Sequence, residues 1–294
     1  MDGVLLIDKP RGLTSHDVVA RLRRVTGERR VGHTGTLDPL ATGLLPLVFG
    51  RATRLASLLA AGDKSYEATV TLGQSTDTDD SEGRPIAEAG DTAGVGDRLQ
   101  EVLQVFRGTF DQTPPSHSAK KVAGTPAYAL ARQDRPVALK PVSVTVHALE
   151  LVEHAGREVR LRMRVTPGFY VRALARDLGA RLGCGAHLSA LRRTATGSFD
   201  VADAFGLDEA VRLGPELGSR VIAPAAALPA LPAVVVTAPG LERVRHGNPV
   251  GPAHLAGAWA PHGASAVKIL AGDGQLAALG RWRGPLLHPV VVLG

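Results

Sequence analysis

Residues 32–46 of the chain read GHTGTLDPLATGLLP, a stretch with only two ionisable side chains, His33 and Asp38. Glycines and threonines surround the carboxylate, and mainly apolar residues follow it. A carboxylate in this setting can serve as a nucleophile, as a general base, or as a cap on the turn before Pro39. The stretch alone leaves these three roles open, so the choice depends on the rest of the chain.

The composition indicates a globular protein with a polyanionic partner. The 294 residues are 44% apolar, enough for one large domain or one large and one small domain. The net charge of +6 makes nucleic acid the first candidate partner, although a merely basic protein fits the charge equally well. Cys184 is the single cysteine, which excludes an internal disulfide and a cysteine-rich zinc site. With no apolar run long enough to span a bilayer, we expect a cytoplasmic protein that binds neither membrane nor metal.

Two segments resemble known binding loops only in part. Residues 27–34, GERRVGHT, have the glycine spacing of a phosphate-binding loop, but His33 stands where that loop requires a lysine. This substitution disfavours nucleotide hydrolysis. The acidic segment 77–91 lacks the order of acids and glycine found in a calcium-binding EF-hand loop, and we expect it to be a solvated loop.

Arginines give the stronger signal for nucleic acid. Residues 21–30, RLRRVTGERR, contain five arginines, and residues 157–193 contain nine, opposed along that segment only by Glu158 and Asp177. In EVRLRMRV (158–165) the alternation places three guanidinium groups on one face of a strand. A solvated face is the plain alternative, but the planar guanidinium suits phosphates. We favour RNA over DNA because no helix-turn-helix or zinc-finger pattern is visible.

The remaining periodicities predict an α+β chain. Strands are expected at 4–7 and 66–72, and helices at 16–25, 51–61 and 170–182. Residues 112–142 are irregular and basic, as expected of an inserted segment. Residues 223–233, APAAALPALPA, are typical of a linker, and the short valine-rich runs after it predict a small all-β module of about 60 residues.

Six blocks of the sequence, in order over residues 1–200, resemble the TruB family of tRNA pseudouridine synthases. The first stretch, 32–46, resembles the motif around the family's essential aspartate. The other five blocks are GVLLIDKPRGLTSHDVV (3–19), DKSYEATVTLGQSTDTDDSEG (63–83), FRGTFDQTPPSHSAKK (106–121), TPGFYVRALARDLG (166–179) and GCGAHLSALRR (183–193). Such an ordered series is far more specific than any single block.

The resemblance implies a pseudouridine-synthase fold of the α+β class. Its central sheet is mixed and mainly antiparallel, with flanking helices, and a thumb segment is inserted at about 112–142 of a catalytic domain, 1–228. Residues 229–294 resemble a PUA-like RNA-binding domain in position, size and β-rich pattern. The thumb departs from the family at His117, where an aromatic residue is usual, and at Lys120, where a leucine is usual.

The same resemblance implies an isomerase that converts uridine 55 in the T-loop of tRNA to pseudouridine without a cofactor, and we expect it to act as a monomer. Asp38 matches the essential aspartate, which attacks either ribose C1′ or uracil C6. Tyr66 matches a tyrosine that stacks on the flipped base and is a candidate for proton transfer, and Arg172 matches an arginine that pairs with the aspartate. The candidates for substrate or RNA contact are His33, Lys9, Leu191, Tyr170, Arg160, Arg162 and Lys121.

Two other classes of protein remain as alternatives. An RNA-binding or tRNA-folding protein could share the fold without catalysis, but binding alone does not require the set Asp38, Tyr66 and Arg172. A glycoside or nucleoside hydrolase normally needs a second, paired carboxylate, and no motif of the sequence supplies one.

Overall fold

A large mixed sheet organises most of the chain in the computed structural model, which describes residues 1–118, 120–122, 125–126, 139–257 and 265–293. Its strands are β1 (Gly3–Lys9), β2 (Val31–His33), β3 (Thr42–Phe49), β4 (Lys64–Leu72), β5 (Gly108–Gln112), β8 (Val142–Ala155), β9 (Glu158–Val165), β10 (Ala186–Thr196), β11 (Phe199–Asp200) and β12 (Phe205–Gly206). The short strands β6 (Lys121–Val122) and β7 (Thr125–Pro126) pair separately with each other.

The order of the large sheet is β12-β1-β3-β10-β4-β9-β8-β5, with β2 beside β3 and β11 beside β10. Within this sheet, the β1–β12 and β3–β10 pairs are the only parallel ones among its described strands. The central mixed, mainly antiparallel sheet expected from the resemblance is therefore confirmed.

Helices cover this sheet, and their ends follow local sequence signals. They are α1 (Ser15–Thr26), α2 (Ala56–Ala60), α3 (Val95–Gln104), α4 (Val171–Leu182) and α5 (Leu207–Leu213). Thr14 and Asp17 form a capping box at the start of α1, and Gly27 ends that helix in the left-handed conformation. Residues 51–61 are only partly α-helical, because a 3₁₀ helix over Gly50–Leu55 precedes α2.

Most of the core lies between the helices and one face of the large sheet. Strand β9 alternates strictly, with its apolar residues buried and its three arginines exposed, as its sequence predicts. The apolar side of β9 packs with β4, α3 and α4 in one cluster of buried residues. A second cluster joins α1 and α5 to β1 and β3.

The C-terminal part differs from two expectations. Its four-stranded sheet consists of β13 (Ala233–Val235), β14 (Val267–Leu270), β15 (Leu276–Arg283) and β16 (Leu286–Val292), but it also carries a helix, α6 (Ala238–Arg245), so it is not all-β. The segment 223–233, expected to be a linker, contributes to the core, because its Ala227 and Leu228 are buried in a cluster with residues of both sheets.

The predicted thumb, 112–142, falls in part outside the described residues, which within it are 112–118, 120–122, 125–126 and 139–142 and include the β6–β7 pair. Among the helices that the structure describes, none combines the length and apolar character needed to cross a lipid bilayer.

Candidate active site

A cavity of about 320 Å³ lies where the stretch 34–38 meets β4, β10 and the first turn of α4. Its volume is in the range of small-molecule sites, and a single nucleoside would fit. The side chains around it are mixed, with carboxylate, guanidinium, ammonium, phenol and apolar groups. The lining residues are Thr34, Gly35, Thr36, Leu37, Asp38, Ala60, Lys64, Tyr66, Pro167, Gly168, Phe169, Tyr170, Val171, Arg172, Leu191 and Arg193.

Asp38 and Arg172, predicted to pair, are in contact. Arg172 Nε lies 3.0 Å from Asp38 Oδ2. The side chain of Asp38 is 38% exposed, whereas that of Arg172 is only 7% exposed. Among the described residues, no hydrogen bond reaches Asp38 Oδ1. One carboxylate oxygen is thus anchored by the guanidinium, and the other is available to a substrate.

Arg172 is also held by three acceptors from two other segments. Its Nη1 donates to the carbonyl of Thr78 at 3.0 Å, and its Nη2 donates to the carbonyl of His117 at 2.8 Å. Nη1 also lies 3.5 Å from Oδ2 of the buried Asp80. Because these contacts fix the plane of the guanidinium, they also fix the position of the Asp38 carboxylate.

The acidic segment 77–91 is not simply solvated, so that prediction is wrong for Asp79 and Asp80. Asp80 is 4% exposed and accepts hydrogen bonds from Thr78 Oγ1 at 2.6 Å and from the Glu82 amide at 3.1 Å. Asp79 pairs with Arg176 of α4 at 3.1 Å; burial raises the pKa of the Asp79 carboxyl, and Arg176 opposes that rise. The loop therefore supplies counter-charges to α4, and its Asp80 contacts the same guanidinium as Asp38.

Tyr66, Leu191 and Tyr170, three of the predicted site residues, all line the cavity. Tyr66 is almost fully buried, and Leu191 forms part of the apolar wall. Tyr170 precedes α4, where Gln112 fixes its backbone: the Tyr170 amide donates to Gln112 Oε1 at 2.8 Å, and Gln112 Nε2 donates to the Tyr170 carbonyl at 3.0 Å. Burial raises the pKa of the Tyr170 phenol.

His33 and Lys9 lie behind the lining rather than in it. His33 is half-buried on β2, where its Nδ1 accepts from the Gly35 amide at 3.3 Å, and burial lowers the pKa of its imidazole. Lys9 is fully buried, and its Nζ donates to the carbonyls of Pro10 and Leu13. This placement corrects the expectation that Lys9 touches RNA, because its ammonium has no access to the surface.

The arginine face of β9 is neutralised by carboxylates from neighbouring strands. Arg160 pairs with Glu153 at 2.9 Å, and Arg162 lies 3.3 Å from Glu150 and 3.6 Å from Glu67. Arg164 likewise pairs with Asp63. The sequence count of opposing acids missed these partners because they lie on β4, on β8 and just before β4. RNA contact by Arg160 and Arg162 stays a prediction, and the side chain of Lys121 lies outside the described part.

Sequence reasoning missed two cationic residues in the lining, Lys64 and Arg193. Both are buried. Strand register places Arg193 opposite Tyr66, and therefore on the same face of the sheet. Arg193 belongs to the block 183–193 and Lys64 to the block 63–83, so both were within matched motifs, but neither had a signal that separated it from surface lysines and arginines.

Comparison with known proteins identifies the class. The model described as TruB family pseudouridylate synthase (N terminal domain) matches residues 23–171, and that described as tRNA pseudouridylate synthase B C-terminal domain matches residues 172–213. The chain is 43% identical over 298 residues to tRNA pseudouridine synthase B of Solibacter usitatus, with 100% of each chain covered. It is 44% identical to the protein of the same name from Thermobifida fusca, covering 99% of this chain and 98% of the relative.

A solved structure agrees with these matches. An H/ACA RNP bound to a substrate RNA containing 2′-deoxyuridine superposes with a TM-score of 0.72 and 26% identity, over 99% of this chain and 85% of that chain. The fold and the sequence matches define an enzyme of the pseudouridine synthase class, an isomerase, and confirm the fold predicted above. Within that class, the chain belongs to the TruB family.

Proposed function

We propose that this enzyme converts uridine 55 in the T-loop of tRNA to pseudouridine, with Asp38 as the nucleophile and without a cofactor. The names of the relatives support tRNA as the substrate. The observation that carries the site assignment is the Asp38–Arg172 contact, which anchors one carboxylate oxygen in a cavity large enough for a nucleoside. Action as a monomer in the cytoplasm is part of the same proposal.

The reaction requires only bond exchange within one nucleotide. The N1–C1′ bond breaks, uracil turns, and a C5–C1′ bond forms; the proton on C5 leaves, and N1 gains a proton. Atoms and electrons balance without an oxidant or a reductant. Asp38 attacks ribose C1′ or uracil C6, and Arg172 holds the carboxylate in position through the 3.0 Å contact with Oδ2. Tyr66 is the candidate for moving the C5 proton, since its phenol is in the same lining.

The walls of the cavity suit an extruded base. A base inside a folded RNA loop must leave its stack before it can react, which costs a few kcal/mol. An aromatic face can offset part of that loss, and Tyr66 and Phe169 provide aromatic rings in the lining. Leu191 supplies an apolar surface beside them. These groups favour a planar uracil over a sugar ring.

The test compares wild type with Asp38→Asn, a change of one oxygen to an amide group of the same shape. Both are incubated with a T-loop tRNA transcript and with a transcript that carries cytidine at position 55, and pseudouridine is mapped along each RNA. We expect the variant to lose at least about 10⁴-fold in rate while binding is largely retained. Glu88→Gln, the same chemical change at an exposed carboxylate of the 77–91 segment, should leave the rate unchanged.

Four outcomes would contradict the proposal. Product from Asp38→Asn at the wild-type rate would exclude Asp38 as the nucleophile. Product at a position other than 55 would overturn the substrate assignment. Free uracil from the wild type would indicate a hydrolase, and binding without product would indicate an RNA-binding protein without catalysis.

A further inference from the structure

Three buried cations surround the cavity and hydrogen-bond only to backbone carbonyls. Lys64 Nζ donates to Ala60 O and Gly62 O, both at 2.8 Å. Arg193 Nε donates to Leu44 O at 2.7 Å, and its Nη2 donates to Gly35 O at 3.1 Å. Lys9 has only its two carbonyl partners. Among the described residues, no carboxylate oxygen lies within 4.0 Å of any of these three cations.

Two of these cations, Lys64 and Arg193, line the cavity and meet at Gly35. A Cβ atom built on Gly35 would lie 3.4 Å from Arg193 Nη1 and 3.7 Å from Lys64 Cε. Nη1 has no hydrogen bond within the described part of the chain. The ammonium of Lys64 has three protons, and its two carbonyl partners leave one of them unused. Both groups thus retain an unused hydrogen-bond donor beside Gly35, where the absence of a side chain leaves space in the cavity.

The charges of the lining are unevenly distributed. At one part of it, Arg172 is balanced by Asp38 and Asp80. At Gly35, Lys64 and Arg193 are almost fully buried and have no counter-ion among the described residues. Burial lowers the pKa of Lys64 to about 8, and Arg193 adds to that effect. A buried cation pair without an anion is unfavourable, and a bound anion would relieve it.

We propose that Lys64 and Arg193 form an anion subsite that binds one backbone phosphate adjoining the nucleotide in the Asp38 cavity. This inference rests on the proposed function, because the RNA supplies the phosphate. A phosphodiester carries one negative charge and accepting oxygens, which match the free donors of the guanidinium and the ammonium. The Asp38 carboxylate repels a phosphate and so directs the base and ribose to its own side of the cavity. The subsite then sets the direction in which the RNA strand passes the nucleophile.

The test removes the charge from one partner at a time. The RNAs are a T-arm hairpin and two versions in which a neutral methylphosphonate replaces the phosphate on the 5′ or the 3′ side of the target uridine. The proteins are Asp38→Asn, which prevents turnover during titration, and the same chain with Lys64→Met, Lys64→Arg or Arg51→Gln added. Affinity is measured by fluorescence anisotropy at several salt concentrations, and folding is checked by circular dichroism.

We expect one methylphosphonate to weaken binding by about tenfold, the usual effect of losing a charge-assisted hydrogen bond. Lys64→Met should weaken binding of the unmodified hairpin by a similar factor. The methylphosphonate that weakens binding to the parent should lower the affinity of Lys64→Met little further. The slope of log K against log salt should become shallower by about 0.7, the value for one phosphate contact on a single strand. Lys64→Arg should keep most of the affinity. Arg51→Gln, at an ion-paired arginine outside the cavity, should respond to the methylphosphonate as the parent does.

The inference is overturned if neither methylphosphonate weakens binding to the parent, or if the losses from RNA and protein multiply as independent effects. If Lys64→Met fails to fold, the subsite is still tested by the effect of each methylphosphonate on the affinity of the parent and of Lys64→Arg. Pseudouridine formation by the wild type on the unmodified hairpin tests the proposed function separately. If pseudouridine forms but the losses from RNA and protein are independent, only the anion subsite is refuted. If the two losses overlap but no pseudouridine forms, only the proposed reaction is refuted.

Discussion

At the scale of single residues, the electrostatics of the site depend on which groups neutralise its buried charges. Arg172 is charged and buried, and it is satisfied by two carbonyls and by carboxylates on two other segments. Lys9 is equally buried but has carbonyl partners alone. The first arrangement orients the Asp38 carboxylate, whereas the second leaves a positive charge with little compensation close to the site.

Lys9 should make stability depend on pH in the alkaline range. Burial lowers the pKa of Lys9 from 10.5 to about 8, although the charge of Asp38 opposes the shift. Between pH 8 and pH 10.5 the unfolded chain therefore holds more protons than the folded chain, so raising the pH stabilises the folded state. Across this window we expect Lys9 to raise the free energy of unfolding by up to about 3 kcal/mol. Below pH 8 Lys9 should cause no further change of that free energy with pH.

The measurement is urea unfolding of wild type and Lys9→Met at steps of pH from neutral to alkaline. The difference between the two proteins isolates Lys9 from Lys64, whose pKa is also lowered and which titrates in both. The free energy of unfolding should rise more steeply with pH in the wild type than in Lys9→Met. Parallel curves would show that Lys9 has an ordinary pKa in the folded protein.

At the scale of elements, the stretch 32–46 matters as much for strand packing as for Asp38. Gly43 lies on β3 with a φ of +98°, and a Cβ atom there would lie 2.3 Å from the carbonyl oxygen of Arg193 on β10. Only glycine allows both this backbone conformation and this close approach. The contact holds β10 beside β3, and thus holds Arg193 and Leu191 in the wall of the cavity.

Gly43→Ala should therefore be strongly destabilising. We expect a loss of roughly 2–4 kcal/mol in the free energy of unfolding, from backbone strain and from displacement of β10. Urea denaturation measures this loss, and single-turnover rates should fall with it. Gly218→Ala is the control, because a Cβ atom there meets nothing within 4 Å. Equal unfolding midpoints for Gly43→Ala and wild type would refute this account of β3 and β10.

At the scale of the whole molecule, the two sheets share part of one core. Leu276, Leu279 and Leu293 of the C-terminal part pack in the same cluster as residues of β1 and β3. Two hydrogen bonds also cross between the parts, from Arg54 to the carbonyl of Val292 and from Lys268 to the carbonyl of Ala225. Because β1 and β3 also support the site, the C-terminal sheet should contribute to the stability of the catalytic part.

Leu279→Ala tests this shared core. Deletion of a buried leucine side chain costs about 2–5 kcal/mol, and here the loss should lower the stability of both parts together. Both tryptophans of the chain lie after residue 229, so their fluorescence reports on the C-terminal part, while pseudouridine formation reports on the site. The two signals should be lost at the same, lower urea concentration. Leu286→Ala, at a partly exposed position, should have little effect, and separate transitions for the two signals would contradict a shared core.

The sequence by itself determined the elements and the family. Period-two alternation placed β4 and β9, helical periodicity placed α1 and α4, and the ordered blocks carried the fold, the class of enzyme and the expected contact between Asp38 and Arg172. These features depend on residues close together in the chain or on whole motifs. They can therefore be recognised before any long-range contact is known.

Only the tertiary structure decided which charges are compensated. The partners of Arg160 and Arg162 lie on neighbouring strands, and the buried Asp80 reaches Arg172 from a loop that the sequence predicts to be solvated. Lys64 and Arg193, which are indistinguishable from surface residues in sequence, lie buried at Gly35. Periodicity indicates which face of an element is exposed, but an ion pair depends on strand register and on residues far apart in the chain. For that reason the charge of this site became visible only in three dimensions.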